Sequence, residues 1–233
     1  MRLEKRKIRV DPSTEVSSVW AIPDDYQGGD GDAIILAHGA GNDMEHPFMS
    51  HFHLACAEAG LLSVKFNFPY KELDRKAPDR MPLLESTWRA VIRAVRTDPA
   101  LAPKHLYLAG KSMGGRVASH LAAQGEPCQG LVILGYPLHP PKRTDTLRVE
   151  HWHRLSCPTL FVQGTRDSLC DLELLRAQLP LIPAPVTLRV IEGGDHSFRV
   201  PKSSGRTEGV VWWEIDSILL DWLRTVGSST ESG

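Results

Sequence analysis

Short runs of apolar and β-branched residues alternate along this chain with segments of helical periodicity. Six runs share this composition and a length of four to seven residues: Ala33–Ala37, Leu62–Phe68, His105–Ala109, Leu131–Leu134, Thr159–Val162 and Val186–Ile191. Strands that are apolar on both sides are typical of a parallel sheet covered by helices. The alternation therefore predicts an α/β fold with a mostly parallel central sheet and helices on both of its faces.

Five segments between and after these strands carry apolar residues at helical spacing: Phe48–Ala59, Leu83–Arg96, Met113–Ala123, Leu172–Leu179 and Glu208–Leu223. Ahead of them, Lys7–Val10 and Val16–Ala21 flank a Pro-Ser-Thr-Glu turn, a pattern that predicts an antiparallel hairpin at the edge of the sheet. We expect a single domain over residues 1–225, because no shift in composition marks a second one. We also expect a disordered tail over residues 226–233, where the sequence is small and polar.

The charge balance argues against a polyanionic partner. The 233 residues include 27 Lys and Arg against 28 Asp and Glu, which gives a formal net charge of -1, whereas nucleic-acid-binding surfaces need clustered basic residues. No apolar run approaches the ~18 residues of a membrane span, and the basic segment Met1–Val10 is not followed by the apolar part of a signal peptide. We expect a cytoplasmic protein that binds neither nucleic acid nor membrane, and its oligomeric state stays open.

The segment Gly110-Lys111-Ser112-Met113-Gly114 follows a predicted strand and precedes a predicted helix. A sharp strand-to-helix turn of this kind holds the serine above the sheet in a strained backbone conformation. The glycines are needed because strand and helix approach too closely there for side chains. A serine hydroxyl is a poor nucleophile unless a neighbouring base takes its proton. Ser112 is therefore the predicted nucleophile, and its base must come from another loop.

An acid and a base follow two later strands. Asp167 lies after the strand Thr159–Val162, and His196 lies after the strand Val186–Ile191. In open α/β sheets the active site lies beyond the carboxyl ends of the strands, and the chain order serine, acid, histidine is that of hydrolases with such an elbow. Ser112, Asp167 and His196 are thus the predicted catalytic triad, in which Asp167 orients His196 and His196 moves the proton.

Backbone N–H groups that would stabilise an oxyanion are expected from two places. One donor is Met113, the residue after the nucleophile. The other comes from the loop His38-Gly39-Ala40-Gly41 after the first core strand, where Ala40 and Gly41 are both candidates. These features together predict a serine hydrolase that works by two-step acyl transfer and needs no metal or organic cofactor.

The motifs HGAG, GKSMGGR, LGYPLHPP, FVQGTRD and GGDHSF, which extend from His38 to His196, resemble those of small bacterial α/β-hydrolases of the dienelactone-hydrolase-like group. More narrowly, they are similar to relatives of a mammalian testis-expressed hydrolase-like protein and of the hydrolase-like domain of a chromatin-complex subunit. The resemblance implies the α/β-hydrolase fold and a triad at the same three residues. Dienelactone hydrolases proper use cysteine where this chain has Ser112, so their lactone substrate is not implied.

Five further side chains are candidates for lining a substrate pocket: His38, Lys111, His139, Asn67 and Tyr70. The pairs His51/His53 and His151/His153 are expected to be surface or core histidines. Residues two apart on a helix point in different directions and cannot share one metal ion.

The segment Gly135–Pro158 lies where hydrolases of this fold often carry an inserted cap, and it is too short for a large one. Without a large cap the substrate pocket is expected to be shallow and accessible, which favours a small carboxylic ester as the substrate. If the protein is an enzyme, the alternative is that the same triad serves a thioesterase, a peptidase or a perhydrolase. If it is not an enzyme, the alternative is a hydrolase-like scaffold that binds a protein partner without catalysis.

Overall fold

The computed structural model describes residues 1–229. Its strands are β1 (Arg2–Asp11), β2 (Thr14–Ile22), β3 (Asp32–Ala37), β4 (Leu62–Phe66), β5 (His105–Lys111), β6 (Gly130–Leu134), β7 (Thr159–Gly164) and β8 (Val186–Ile191). Its helices are α1 (Pro47–Glu58), α2 (Pro69–Glu72), α3 (Met81–Arg96), α4 (Met113–Ala123), α5 (Leu172–Gln178) and α6 (Glu208–Ser229). Three short 3-10 helices lie at Trp152–Arg154, Leu179–Leu181 and Lys202–Ser204.

The chain forms two compact units, the first over Met1–Ala118 and the second from Ser119 onward. In the first unit the strands lie in the order β1-β2-β4-β3-β5. The hairpin β1-β2 is antiparallel, β2 is antiparallel to β4, and β3 runs parallel to both β4 and β5. In the second unit β6, β7 and β8 lie side by side and are parallel. The predicted N-terminal hairpin and the mostly parallel arrangement are confirmed.

The central strands of the first unit are buried on both faces, as their apolar sequences predict. Ile34, Ile35 and Leu36 of β3 have no exposed surface. In α3 the buried residues recur at helical spacing, and the ring of Trp88 lies edge-on to Phe66 of β4 with 5.1 Å between ring centroids. The helical periodicity of this segment therefore marks the face that covers the sheet.

Aromatic side chains form the core of the second unit. The rings of Tyr136, Trp152 and Phe161 are fully buried, and their centroids are 5.2 to 6.0 Å apart. Tyr136 and Trp152 both belong to the segment 135–158, which contains one short 3-10 helix and no longer element. The prediction that this segment carries no large cap is confirmed.

The largest differences from the prediction lie at the N-terminal hairpin, at α2 and at α6. The hairpin strands continue to Asp11 and Thr14, and the Asp11 side chain caps the turn by accepting a hydrogen bond from Ser13 N over 2.8 Å. The four-residue helix α2 was not predicted. Helix α6 ends at Ser229 rather than Leu223, so residues 226–229 of the predicted tail are helical, and residues 230–233 lie outside the described part of the chain. Within residues 1–229, no helix is long and apolar enough to cross a membrane.

Candidate active site

Ser112 is the single residue between β5 and α4, and its backbone lies in the left-handed region with φ of 51°. This conformation costs a residue that carries a Cβ about 1–2 kcal/mol. The Ser112 carbonyl accepts a hydrogen bond from Arg116 N over 2.9 Å, which is the first helical bond of α4. The backbone therefore has the strained strand-to-helix turn that the sequence predicts at this serine.

Two glycines allow this turn to form. A Cβ added at Gly110 would lie 2.2 Å from the amide nitrogen of Gly115, and one added at Gly114 would lie 2.4 Å from the carbonyl oxygen of Ala37. Both distances are far inside van der Waals contact, and both partners are backbone atoms that cannot move aside. The G-x-S-x-G spacing is thus a packing requirement of β3, β5 and α4.

The loop after β3 passes close to Ser112. A Cβ added at Gly39 would lie 3.4 Å from the Cβ of Ser112, which is ordinary contact distance for this residue pair. The following residues, Ala40 and Gly41, are exposed, and Gly41 O accepts a hydrogen bond from Lys71 Nζ over 3.4 Å. The predicted oxyanion donors Ala40 and Gly41 therefore belong to a loop next to the serine.

The imidazole of His38 holds this loop in place. Its Nδ1 donates to Gly39 O over 2.9 Å, and its Nε2 accepts from Phe68 N over 3.2 Å. The ring is fully buried, and burial lowers the pKa of His38 to about 4. His38 is therefore neutral near pH 7, in the single tautomer that allows one nitrogen to donate while the other accepts.

Tyr70 and Asn67 brace the same loop from the segment after β4. The Tyr70 hydroxyl lies 3.5 Å from Gly39 O and is positioned to donate to it, and burial raises the pKa of Tyr70 to about 12. Asn67 Oδ1 accepts from Met44 N over 2.8 Å. Tyr70 is fully buried, and its hydroxyl holds the backbone of the loop after β3 in position.

In the second unit, the structure brings Asp167 and His196 together. His196 Nδ1 lies 2.7 Å from Asp167 Oδ2, with the Asp167 side chain fully buried and the His196 side chain 24% exposed. A histidine that donates from Nδ1 to a carboxylate keeps its basic lone pair on Nε2. The pair therefore has the orientation of an acid that holds a general base.

Two further groups hold the Asp167 carboxylate. Leu169 N donates to Oδ1 over 2.8 Å, and Gln163 Nε2 donates to Oδ2 over 2.5 Å. Gln163 is fully buried, and its Oε1 accepts from Tyr136 N over 2.8 Å at the end of β6. Sequence reasoning missed Gln163. The available signal was an amide inside the apolar strand Thr159–Gly164, since a buried amide needs partners for both of its ends.

The loops after β7 and β8 are in direct contact. A Cβ added at Gly164 would lie 2.2 Å from Gly194 O, and Arg166 N donates to that same carbonyl over 2.8 Å. Gly193 N donates to Thr165 Oγ1 over 2.7 Å. These contacts fix the separation between the loop that carries Asp167 and the loop that carries His196.

His139 and Lys111 complete the set of predicted pocket-lining residues. Both are buried. His139 Nε2 accepts from Asp171 N over 3.1 Å, and its Nδ1 donates to Pro140 O over 2.9 Å, so this ring ties the loop after β6 to the start of α5. The contribution of His38, Lys111, His139, Asn67 and Tyr70 to a substrate pocket stays a prediction.

A second serine–histidine pair lies in the core of the second unit. Ser119 Oγ and His151 Nε2 are 2.7 Å apart, both residues are buried, and His120 stacks on His151 with 3.8 Å between ring centroids. In the first unit, His53 is buried 2.9 Å from Ser63 Oγ, and burial lowers its pKa to about 3. Among residues 1–229 no group of three or more His, Cys, Asp or Glu side chains is arranged to hold a metal ion.

Comparison with solved structures identifies the fold. An α-β serine hydrolase homologue from Coxiella burnetii is 22% identical, with 94% of this chain and 97% of that chain covered and a TM-score of 0.74. A dienelactone hydrolase from Anabaena variabilis is 20% identical, with 96% and 97% covered and a TM-score of 0.76. An α/β serine hydrolase without lid from Xanthomonas campestris is 20% identical, with 96% and 94% covered and a TM-score of 0.71.

These likenesses confirm the predicted α/β-hydrolase fold and its dienelactone-hydrolase-like neighbours. The narrower resemblance to the testis-expressed and chromatin-subunit proteins stays a prediction. A family model described as an alpha/beta hydrolase domain matches residues 30–224, which include every strand from β3 onward and all six helices in whole or in part. The chain therefore belongs to the alpha/beta hydrolase domain family.

Proposed function

We propose that the protein is a serine hydrolase in which Ser112, Asp167 and His196 form the catalytic triad. The observation that carries the proposal is the 2.7 Å hydrogen bond from His196 Nδ1 to the buried carboxylate of Asp167. A core ion pair would bury both partners, whereas this histidine remains partly exposed. The strained backbone of Ser112 supports the proposal independently, since such strain persists mostly at functional sites.

In this mechanism His196 Nε2 takes the proton of the Ser112 hydroxyl as the Ser112 oxygen attacks a substrate carbonyl carbon. The oxyanion accepts hydrogen bonds from Met113 N and from the N–H of Ala40 or Gly41. His196 then protonates the leaving group, an acyl-enzyme remains on Ser112, and the same histidine activates the water that releases the acid. Asp167 stays ionised and stabilises the imidazolium.

The substrate we propose is a small carboxylic ester. Support comes from the segment 135–158, which carries no inserted cap that would enclose a long acyl chain. Thioesters and peptides pass through the same acyl-enzyme, and a perhydrolase uses the same triad with peroxide. The ester assignment therefore rests on the shortness of this segment. Faster turnover of long-chain esters than of short-chain esters would contradict it.

The test is covalent labelling of the folded protein with a fluorophosphonate, followed by mass spectrometry of the labelled peptide. We expect one adduct, on Ser112, that is absent from Ser112→Ala and from heat-denatured protein. Ser119→Ala is the matched control, because Ser119 belongs to the other serine–histidine pair and lies on α4, the helix that follows Ser112. This variant should label like the wild type.

An adduct on Ser119, or none on a protein whose folding is verified by circular dichroism, would overturn the proposal. In the second case a hydrolase-like scaffold that binds a protein partner becomes the better account. Hydrolysis of short-chain and long-chain p-nitrophenyl esters is then measured with a preparation that reacts with the fluorophosphonate. This assay tests the substrate class separately from the triad.

A further inference from the structure

A cavity of about 550 Å³ opens in the second unit at the amino ends of the strands. Its walls come from the segments just before β6, β7 and β8 and from the last turns of α6, and they include Cys128, Cys157, Pro185, Thr187, Trp222 and Val226. Asp167 and His196 follow the opposite, carboxyl ends of β7 and β8. The proposed mechanism uses no residue of this cavity.

Two thiols of this cavity wall are in contact. The Cys128 thiol donates a hydrogen bond to the Cys157 sulfur, and this bond is the largest influence in lowering the pKa of the Cys157 thiol. Cys128 is partly exposed and Cys157 is 7% exposed. Cys170 provides the contrast, because burial raises the pKa of its thiol and it does not line the cavity. Thiolate character and access to solvent together decide thiol reactivity. The thiol with the lowered pKa, Cys157, and the partly exposed thiol, Cys128, are thus in contact at the cavity wall.

The pairing of β6 with β7 explains why the thiols meet. Leu131 lies opposite Thr159 in the parallel ladder, and Leu131 N donates to Pro158 O over 2.9 Å. Cys128 lies two residues before β6 and Cys157 lies two residues before β7, so the two thiols belong to neighbouring segments that lead into adjacent parallel strands.

From the contact and the cavity we infer that Cys128 and Cys157 form a thiol modification site, at which a small-molecule disulfide converts the pair into one intramolecular disulfide. The site is independent of the proposed hydrolase activity. The six residues of β7 separate Cys157 from the loop of Asp167 by about 20 Å at ~3.3 Å per residue.

The reaction has two balanced steps. The Cys157 thiolate attacks one sulfur of the small disulfide, the bond between the two small-molecule sulfurs breaks, and one thiolate leaves and takes up a proton. Cys128 then loses its proton and attacks the Cys157 sulfur of the mixed disulfide, and the second small thiol leaves. The protein loses two electrons and two protons, and the small disulfide gains them as two thiols.

The experiment incubates the folded, fully reduced protein with oxidised glutathione and follows intact mass and peptide maps. We expect the wild type to lose two hydrogen atoms, to give a peptide pair joined through Cys128 and Cys157, and to regain its mass with dithiothreitol. Cys128→Ser should stop at a mixed disulfide on Cys157, because the resolving thiol is gone. Cys170→Ser is the matched control and should close the bond like the wild type.

A wild type that stays reduced, that ends as stable mixed disulfides, or that links Cys56 or Cys170 instead would overturn the inference. These outcomes are read on the wild-type chain, so poor folding of a variant does not decide the result. Fluorophosphonate labelling of the oxidised protein reports separately on Ser112, which distinguishes failure of this inference from failure of the proposed triad.

Discussion

Gln163 donates a hydrogen bond from Nε2 to Oδ2 of Asp167 over 2.5 Å, and both side chains are shut off from solvent. The same oxygen lies 2.7 Å from His196 Nδ1. The far end of the amide accepts from Tyr136 N, so Gln163 cannot rotate without losing a bond at each end. The Asp167 carboxylate is therefore held by its own loop and also, through Gln163, by the backbone of Tyr136 after β6.

Replacing Gln163 with Leu removes this donor while keeping a side chain of similar size. A hydrogen bond to a charged group contributes about 1.5–3 kcal/mol, so we expect kcat to fall by about 10-fold to 150-fold with KM little changed. The measurement is steady-state hydrolysis of a short p-nitrophenyl ester well below the melting temperature. Gln163→Glu is the informative partner variant. It keeps an acceptor for Tyr136 N but places a second carboxyl against Asp167. A folded Leu variant with wild-type kcat would show that Gln163 does not position the acid.

The strained backbone of Ser112 predicts a trade between stability and activity. Glycine adopts a positive φ without the cost that a Cβ brings, so Ser112→Gly should be more stable than Ser112→Ala by about 1 kcal/mol, or about 2–4 °C in melting temperature. Both variants should be inactive. Thermal denaturation of the two proteins in one buffer measures the difference. Equal melting temperatures would mean that the left-handed conformation at this position costs nothing.

The close approach at Gly114 predicts severe loss of stability when a methyl group is added. Its Cβ would lie 2.4 Å from Ala37 O, so Gly114→Ala should destabilise the fold by about 3 kcal/mol or more, since neither backbone segment can relax freely. Gly209→Ala is the matched control, because nothing lies within 4 Å of a Cβ at that position. It should leave stability unchanged or raise it by up to about 1 kcal/mol. Urea denaturation of both variants tests the pair, and similar midpoints would contradict the packing argument.

Burial of His38 predicts that stability falls as the solution becomes acidic. The pKa of His38 is lowered from 6.5 to about 4 in the folded state, so between these values the unfolded chain binds a proton that the folded chain does not. The contribution of the neutral His38 side chain to the free energy of unfolding is complete above pH 6.5 and is lost as the pH falls toward 4. It amounts to about 2 kcal/mol between pH 7 and pH 5.

Urea denaturation at the two pH values measures this loss in the wild type and in His38→Gln, which keeps an acceptor for Phe68 N. The variant should show a smaller difference between the two pH values. His153→Gln, at an exposed histidine, should retain the wild-type difference. An equal pH dependence in His38→Gln would assign the effect to other groups.

Strand positions and the polar residues that follow them could be predicted because both depend on local sequence. A run such as Ala33–Ala37 is apolar throughout, and G-x-S-x-G after a strand leaves the backbone few conformations. The helix α2 could not be predicted for the opposite reason. It has four residues, and its first turn depends on a hydrogen bond from Tyr70 N to Asp79 Oδ2, 2.8 Å away in a later loop.

The roles of Gln163 and His38 also needed the structure. Nothing in the order of residues states that the amide of Gln163 reaches both Tyr136 N and Asp167, because this depends on how β6 and β7 align. His38 was a candidate for lining a pocket, yet its two nitrogens are bonded to backbone atoms. Sequence patterns identify which residues carry polar atoms, while tertiary packing decides what those atoms bond.

The contact between Gly164 and Gly194 leaves no room for a side chain between the loops that carry Asp167 and His196. For protein engineering, the two loops therefore behave as one cassette. A library that lengthens or randomises either loop alone shifts the acid relative to the base before any substrate contact is altered. Grafting from another hydrolase should transfer both loops together, with a glycine retained where they cross.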